Sequence, residues 1–312
     1  MNILNTNMVE KNTSVDFCGN LQKYPDTDYV ELKKSASEYY TIPSTQIAVG
    51  AGIDSLIVFS LLAFGEYTIL CCPTFEVYQN CLDTFKKKYI PVDFGPTYNV
   101  KAAQVLKYYT NKTSVIVICN PNNPTGNILE REEILKILDS VNCKVILDEA
   151  YAELAGVSNL DLAQTYKNLI IFRSLSKAFS VPGIRVGFAF GHEKIISKIE
   201  AVRKNILPFC IPVLSEQAAI AVLKNKNYPK KNKVKTDSLR LWLQQELNDF
   251  KDLKIYPSST NFLLVEARSS EIQKKLNSTE AINCSKYGLP STFFRITCTE
   301  KESLQMLLEA LR

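Results

Sequence analysis

The chain contains a single histidine, His192, among its 312 residues. Mechanisms that need a histidine–carboxylate couple, and metal sites built from several histidines, therefore have almost no residues to use. Chemistry in this protein must come mainly from lysine, tyrosine, aspartate and arginine side chains.

Cysteine is present at nine positions, but no two of them form a C-x-x-C pair or another spacing typical of a zinc site. Most lie in apolar runs, where a thiol behaves as a small hydrophobic group. The N-terminus lacks the basic and apolar segments of a signal peptide, and no apolar run is long enough to span a bilayer. These absences predict a cytoplasmic protein with no membrane partner.

Positive charge is in small excess: 37 basic and 32 acidic residues give a net charge of +5. The densest basic run covers 224–235 and has no interleaved aromatic pattern of the kind that a nucleic-acid groove uses. A solvated loop leading into a helix is the simplest interpretation of that run. We therefore expect no nucleic-acid partner.

The middle of the chain alternates short β-branched runs with amphipathic stretches. The strand-like runs cover 46–50, 67–72, 114–119, 144–149, 169–174 and 185–191. Strands that alternate with helices predict an α/β fold, with a mostly parallel sheet covered by helices on both faces. Beyond about residue 193 the pattern becomes helical, then shows further strand-like runs at 253–267 and 292–298 and a terminal helix. That part predicts a smaller α+β unit.

Polar residues follow several of these strands, where ligands bind in parallel sheets. After the run at 169–174 comes Lys177, which could be an ordinary surface lysine or could form an imine with an aldehyde cofactor. Its neighbours Ser174, Ser176 and Arg185 are donors suited to a phosphate dianion, and they favour the second interpretation.

The segment "GAGIDSL" at 50–56 offers a complementary half of a phosphate site. Its glycines allow close backbone approach, and a helix that begins near Ile53 and Asp54 would present free N–H groups. A dinucleotide fingerprint is excluded, because it would need a glycine where Ser55 stands. Taken alone, the stretch could equally be an ordinary turn.

Asp148, in "DEAY", ends a predicted buried strand, where a carboxylate needs a cation or a donor. It could pair with a protonated pyridine nitrogen or could cap the following helix. Tyr151 and Asn123 could both reach a phenolic oxygen on the same ring, although the asparagine also suits a plain Pro/Asn/Gly turn. Phe75 could stack on the ring or belong to the core.

Taken together, "NPNNPTG", "DEAY" and "SLSKAFSVPGIRVGF" resemble the signature of pyridoxal-phosphate enzymes of the aspartate-aminotransferase fold. The segments "QKYPDTDYVELKKSASEYY", "AVGAGIDSLI" and "FFRIT" are similar to the branch of histidinol-phosphate aminotransferase and threonine-phosphate decarboxylase. The resemblance implies fold type I, with a mostly parallel seven-stranded sheet in a large domain at 36–205. A small α+β domain would combine 1–35 with 206–312.

The resemblance also implies roles for individual residues. Lys177 would hold pyridoxal 5'-phosphate through an imine and then move the substrate's α-proton, while Asp148 would pair with the ring nitrogen. Tyr151 and Asn123 would hold the ring oxygen, and Phe75 would stack on the ring. The phosphate would be bound by Gly52, Ile53, Asp54, Ser174, Ser176 and Arg185.

Further implied contacts concern the substrate and a second subunit. Arg295 would bind the substrate carboxylate as a bidentate partner, with Asn261 nearby. Tyr24 would reach the phosphate from the other subunit of a homodimer. The partners would be an amino acid and a 2-oxo acid, and the activity that of a class I/II aminotransferase.

Three departures from the branch bear on the substrate. The segment before "YPD" is short, Phe75 replaces a more usual tyrosine, and Ile282 stands where an arginine normally binds the substrate's phosphate. The loss of that arginine predicts a non-phosphorylated amino acid, because an isoleucine cannot bind a dianion. Decarboxylation or another carbanion-forming reaction on the same cofactor stays an alternative, and a non-catalytic ligand-binding protein is a third.

Overall fold

A computed structural model describes residues 24–95, 98 and 100–312. The first part runs α1 (Val30–Tyr40), β1 (Ile47–Ala51), α2 (Gly52–Phe64), β2 (Tyr67–Cys72), α3 (Glu76–Thr84), β3 (Lys88–Asp93), α4 (Ala102–Leu106), β4 (Val115–Cys119), α5 (Arg131–Ser140) and β5 (Lys144–Asp148). There follow α6 (Ala152–Ala155), α7 (Leu162–Thr165), β6 (Leu169–Ser174), β7 (Val186–Gly191), α8 (Glu193–Ile206) and α9 (Val213–Lys224). The last part contains α10 (Tyr228–Asn248), β8 (Leu253–Ile255), β9 (Phe262–Ala267), α11 (Ser270–Asn277), β10 (Ile282–Asn283), β11 (Phe293–Thr297) and α12 (Lys301–Leu311).

Seven strands form the larger sheet, in the order β1-β7-β6-β5-β4-β2-β3. The neighbours from β3 to β6 pair in parallel, and only β7 runs antiparallel, to both β6 and β1. The mostly parallel seven-stranded sheet that the resemblance implied is therefore confirmed. Strand β3 had no counterpart among the apolar runs, because it lies at the sheet edge, with exposed residues and Pro91 within it.

The central strands are buried on both faces, so their sequences read as continuous apolar runs. In β4, Ile116 and Ile118 pack into the core cluster that includes α1 and α5. Val115 and Val117 point to the opposite face, into the cluster that includes α2, α3 and α8. Each buried side chain of this size contributes roughly 1.5–3 kcal/mol to folding, so the sheet is a rigid platform for the loops at its edge.

A second, antiparallel sheet has the order β10-β11-β9-β8 and forms its own core with α10, α11 and α12. The strand-like run at 253–267 is two strands, because the polar segment 256–261 interrupts it. The boundary predicted between residues 35 and 36 falls inside α1, whose Leu32 and Ala36 are buried in the core of the larger sheet. The two-domain division itself stays a prediction, and residues 1–23 lie outside the described part of the chain.

Over the described ranges, no helix combines the length and apolarity needed to cross a membrane. The same part of the chain contains no grouping of three or more histidine, cysteine, aspartate or glutamate side chains that could hold a metal ion.

Candidate active site

A cavity of about 280 Å³ opens beyond the carboxyl ends of β4, β5 and β6. The parallel direction of these strands brings their polar C-terminal residues to one edge of the sheet. Eleven of the fourteen residues predicted for the site line this cavity, namely Ile53, Asp54, Phe75, Asn123, Asp148, Tyr151, Ser174, Ser176, Lys177, Arg185 and Arg295. The strand-end residues singled out in the sequence therefore share one site.

Lys177 lies in a tight turn just after β6. The Ser174 hydroxyl oxygen accepts a hydrogen bond from the Ser176 N–H at 3.1 Å, and the Lys177 carbonyl accepts one from the Ser180 N–H at 3.0 Å. These bonds hold the backbone so that the Lys177 side chain reaches the cavity, with its Nζ 5.2 Å from the centre of the Tyr151 ring. A primary amine is thereby fixed beside an aromatic wall.

Asp148 is the last residue of β5 and is only 4% exposed. Its Oδ2 accepts a hydrogen bond from the Tyr78 hydroxyl at 2.8 Å, and its Oδ1 accepts one from the Ala150 N–H at 3.0 Å. Burial raises the pKa of the Asp148 carboxyl to about 6, although these hydrogen bonds oppose the shift. A buried carboxylate of this kind is stabilised by a cation placed opposite it.

Arg185 and Asp54 meet at another part of the cavity, with Arg185 Nη2 2.6 Å from Asp54 Oδ2. Gly52 has a φ of +74°, and a Cβ there would lie 2.5 Å from Arg185 Nη2. A Cβ on Gly187 would lie 2.8 Å from the Ile53 nitrogen. The two glycines therefore permit a guanidinium and the start of α2 to come together, which is the donor set that a phosphate group needs.

Arg295 projects from β11 toward the loop that carries Asn123. Its Nη1 donates a hydrogen bond to Asn123 Oδ1 at 2.6 Å, and its guanidinium carbon lies 5.0 Å from the centre of the Phe262 ring. The Arg295 Nε is buried and has no hydrogen-bond partner in the described part of the chain. A free donor on a half-buried guanidinium is a suitable contact for an anionic ligand group.

Several cavity residues were missed in the sequence. Glu76, which lines the cavity, follows Phe75 directly at the start of α3. Tyr78, two residues further along the same helix, does not line the cavity but donates a hydrogen bond to Asp148, which does. Lys286 and Tyr287 belong to the short 3-10 helix Cys284–Tyr287, four and five residues beyond Ile282. The remaining lining residues are Cys119, Pro121, Ala150 and Pro182. Proximity to Phe75 was the one sequence signal that could have found Glu76 and Tyr78.

Three predicted residues do not line the cavity. Gly52 lies beside it, against Arg185. Tyr24 is 82% exposed and stacks on Phe209 of the same chain, with ring centres 4.8 Å apart. Asn261 lies between β8 and β9 and lines a neighbouring cavity of about 240 Å³, which Lys177 and residues of α10 also line. Its backbone oxygen accepts a hydrogen bond from the Cys298 N–H at 2.7 Å, and its contact with a substrate carboxylate stays a prediction.

The sequence of the chain matches the model of the family "Aminotransferase class I and II" over residues 4–311. The chain belongs to the class I and II aminotransferases. The aminotransferase is 34% identical over 297 residues to histidinol-phosphate aminotransferase 2 of Archaeoglobus fulgidus, which covers 94% of this chain and 84% of that relative. It is therefore a pyridoxal-phosphate-dependent enzyme of the branch similar to histidinol-phosphate aminotransferases.

Solved structures agree with this assignment at the level of the fold. The histidinol-phosphate aminotransferase of Clostridium acetobutylicum superposes with a TM-score of 0.86 at 24% identity, covering 94% of this chain and 90% of that one. The histidinol-phosphate aminotransferase of Sinorhizobium meliloti in complex with pyridoxal-5'-phosphate gives a TM-score of 0.81 at 21% identity, covering 94% and 83%. The aminotransferase therefore has fold type I.

The residues of this aminotransferase fit pyridoxal phosphate. A buried carboxylate at Asp148, a reachable amine at Lys177 and the close approach of Gly52 to Arg185 match the ring nitrogen, the aldehyde and the phosphate of that group. Aromatic rings at Phe75 and Tyr151 line the same space.

Proposed function

We propose that the enzyme transfers the amino group of a phosphate-bearing amine to a 2-oxo acid. The proposal is carried by one observation: Lys177, Asp148, Arg185 and Arg295 share one cavity, with a donor set for one anion at Arg185 and a second at Arg295. Two separate anion sites suit a phosphorylated cofactor and an anionic substrate bound side by side.

Each side chain has a distinct task in this proposal. Pyridoxal phosphate, when bound, supplies an electron sink for the bond that breaks at the amine-bearing carbon. Lys177 would hold the cofactor through its amine and would serve as the base that moves the proton at the amine-bearing carbon of the substrate. Asp148 would pair with the protonated ring nitrogen, Tyr151 and Asn123 would hold the ring oxygen, and Phe75 would stack on the ring.

The cofactor phosphate would be bound by residues at the start of α2 and just after β6, together with Arg185. The N–H groups at the start of α2 lie where the helix dipole favours a negative charge. The contributing residues are Gly52, Ile53, Asp54, Ser174, Ser176 and Arg185. Asp54 pairs with Arg185 until an anion takes its place.

The substrate class is taken from two observations. The relative from Archaeoglobus fulgidus and other curated relatives are named as histidinol-phosphate aminotransferases, which supports a phosphorylated amine. Lys286 lies in the cavity together with Arg295, so a second cation is available although Ile282 replaces the usual arginine. Both observations argue against a non-phosphorylated amino acid as substrate, which the isoleucine at position 282 had predicted. We do not propose decarboxylation. The 2-oxo acid would bind Arg295 through its carboxylate.

The assembly and location of the enzyme are further parts of the proposal. We place Tyr24 at the cavity of a partner subunit in a homodimer, because it is exposed and stacks on Phe209. Ile206 and Leu207, which precede Phe209, are also largely exposed and apolar, as an interface would require. A cytoplasmic location and the two-domain division remain predictions. Sedimentation of the wild type and of Tyr24→Ala, with the cofactor bound, measures the assembly.

The activity is tested by mixing the cofactor-loaded enzyme with histidinol phosphate, histidinol and a panel of amino acids, and recording the cofactor spectrum. We expect the phosphorylated amine to convert the cofactor to its amine form, and a 2-oxo acid to restore the original spectrum. Lys177→Ala is the control, and it should take up cofactor without fixing it on borohydride reduction. Absence of amino-group transfer from every amine would overturn the proposal, and release of carbon dioxide would indicate decarboxylation instead.

A further inference from the structure

An ion pair between Glu76 and Lys286 lies in the wall of the active-site cavity. Lys286 Nζ is 2.8 Å from Glu76 Oε1, and the two residues lie 210 positions apart in the chain. Lys286 Nζ is 4.9 Å from the centre of the Tyr287 ring, and the guanidinium carbon of Arg295 is 5.8 Å from the same centre. Two cations therefore border one aromatic ring in the cavity.

Ile282 adds no charge to this region. It lies opposite Arg295 in the pairing of β10 with β11, and it packs against the small apolar cluster that includes Cys284 and Tyr287. A substrate phosphate at Arg295 would therefore lack a second positive partner at position 282. A phosphate dianion bound by one guanidinium has one charge-assisted hydrogen-bonding partner fewer than a dianion bound by two cations.

We propose that Lys286 supplies this missing contact and determines the preference for a phosphate monoester, with Glu76 as its counter-ion in the free enzyme. This inference rests on the proposed function. The hydrogen bond to Glu76 raises the pKa of the Lys286 ammonium, so the lysine keeps its charge throughout the neutral range. A flexible ammonium can leave one carboxylate oxygen for a phosphate oxygen without rearranging the backbone.

The two ends of the cavity are built alike. Arg185 pairs with Asp54 at 2.6 Å, and Lys286 pairs with Glu76 at 2.8 Å. Each cation is thus held by a carboxylate that a bound phosphate would displace or outcompete. Glu76 Oε2 is buried and has no hydrogen-bond partner over the described ranges, so the Glu76 carboxylate is only partly satisfied by its surroundings. Glu76 therefore tunes how strongly Lys286 binds an anion.

The test compares histidinol phosphate with histidinol as amine substrates for the holoenzyme, and expresses specificity as the ratio of their kcat/KM values. Lys286→Met should lower this ratio by about 10- to 100-fold, the loss expected for one hydrogen bond to a charged group. The effect should lie mainly in KM for the phosphorylated amine. Glu76→Gln should raise the ratio several-fold, because Lys286 then has no competing carboxylate.

Lys254→Met is a matched control. Lys254 has a similar exposure, pairs with Glu266 and lies 4.4 Å from the centre of the Tyr256 ring, but it does not line the cavity. It should leave the ratio unchanged. The double variant I282R/K286M should recover much of the lost preference for the phosphorylated amine. It returns a cation to position 282, which lies directly across from Arg295 in the pairing of β10 with β11.

The outcomes separate this inference from the proposed function. If Lys286→Met keeps the wild-type ratio, the role of Lys286 is wrong while the proposed function stands. If the wild type does not distinguish the two amines, both the role of Lys286 and the phosphate-bearing substrate are wrong, and only amino-group transfer stands. If the wild type transfers no amino group from any amine, the proposed function fails. Melting curves of the two methionine variants show whether a loss of folding explains any change.

Discussion

The hydroxyl of Tyr78 donates a hydrogen bond to Oδ2 of Asp148 over 2.8 Å. Tyr78 is fully buried in α3, and Asp148 ends β5, so a helix on one face of the sheet braces a carboxylate at its edge. With Ala150 N–H on the other oxygen, the carboxylate has a fixed orientation before any ligand binds. Such preorganisation reduces the ordering that cofactor binding must otherwise accomplish.

Tyr78→Phe should weaken cofactor binding. The hydrogen bond lowers the pKa of Asp148, so its loss favours the protonated carboxyl, which cannot pair with a protonated ring nitrogen. A bond to a charged group contributes about 1.5–3 kcal/mol, so the dissociation constant of pyridoxal phosphate should rise about 10- to 100-fold. Fluorescence titration measures it, with Tyr89→Phe on the sheet edge as control. Equal dissociation constants in the two variants would count against the role of Tyr78.

Asp148→Asn should change how stability depends on pH in the cofactor-free protein. The pKa of Asp148 is raised to about 6 from 3.8, so between these values the folded state holds a proton that the unfolded state has lost. Wild-type stability therefore falls as pH rises through this interval, by about 3 kcal/mol in total. Asparagine does not titrate, so the free energy of unfolding of the variant relative to wild type should increase from pH 4 to pH 7.5.

Urea unfolding at several pH values measures this difference. Other groups with raised pKa values, such as Glu216, are common to both proteins and cancel in the comparison. A difference that stays constant with pH would show that Asp148 titrates normally in the folded protein.

Gly52→Ala should damage the phosphate end of the cavity. A Cβ there would lie 2.5 Å from Arg185 Nη2, and the φ of +74° adds backbone strain. Gly95→Ala is the matched control, because Gly95 has a φ of +73° but no atom of the described residues beyond its own neighbours in the chain lies within 4 Å of its Cβ position. Both variants should lose about 1 kcal/mol of stability from strain, whereas only Gly52→Ala should bind pyridoxal phosphate more weakly. Identical cofactor affinities would mean that Arg185 moves aside without consequence.

Arg203→Met should strongly destabilise the fold. The Arg203 side chain is fully buried, pairs with Glu200 at 2.9 Å and donates to the Pro208 carbonyl at 2.9 Å. Its loss leaves the Glu200 carboxylate with Lys33, 2.8 Å away, as its remaining charged partner among the described residues, and removes a charged donor to the Pro208 carbonyl, at a cost of about 1.5–3 kcal/mol. Lys204→Met, one residue on, removes only a surface ion pair and should cost at most about 1 kcal/mol. Denaturant midpoints of the two variants should therefore differ clearly, and similar midpoints would contradict this account.

The sheet was predictable because its central strands are apolar throughout and are separated by amphipathic helices. The prediction was incomplete where burial is one-sided. Strand β3 mixes exposed, half-buried and buried residues without a regular alternation and contains Pro91, so its pattern does not differ from that of a loop. The run at 253–267 was read as one strand, because the polar interruption before Phe262 was too short to stand out.

The candidate site was predictable to the extent that parallel strands bring their carboxyl ends together. Lys177, Asp148 and Ser174 follow from that rule and from the family signature. Tyr24 and Asn261 came from the resemblance alone, and both lie outside the cavity of this chain. The pairing of Lys286 with Glu76 could not be found from the sequence, since the two residues lie 210 positions apart and nothing local relates them.

The sequence by itself determined which segments become strands and which chemical groups stand at their ends, because apolar periodicity and strand-end composition are local properties. It also determined the family, because the lysine, aspartate and asparagine segments occur in order along one chain. Only the tertiary structure decided that Tyr78 braces Asp148, that Lys286 meets Glu76, and that Asn261 lines a neighbouring cavity which Lys177 also lines. These relationships depend on how segments up to 210 residues apart pack together, which no local pattern encodes.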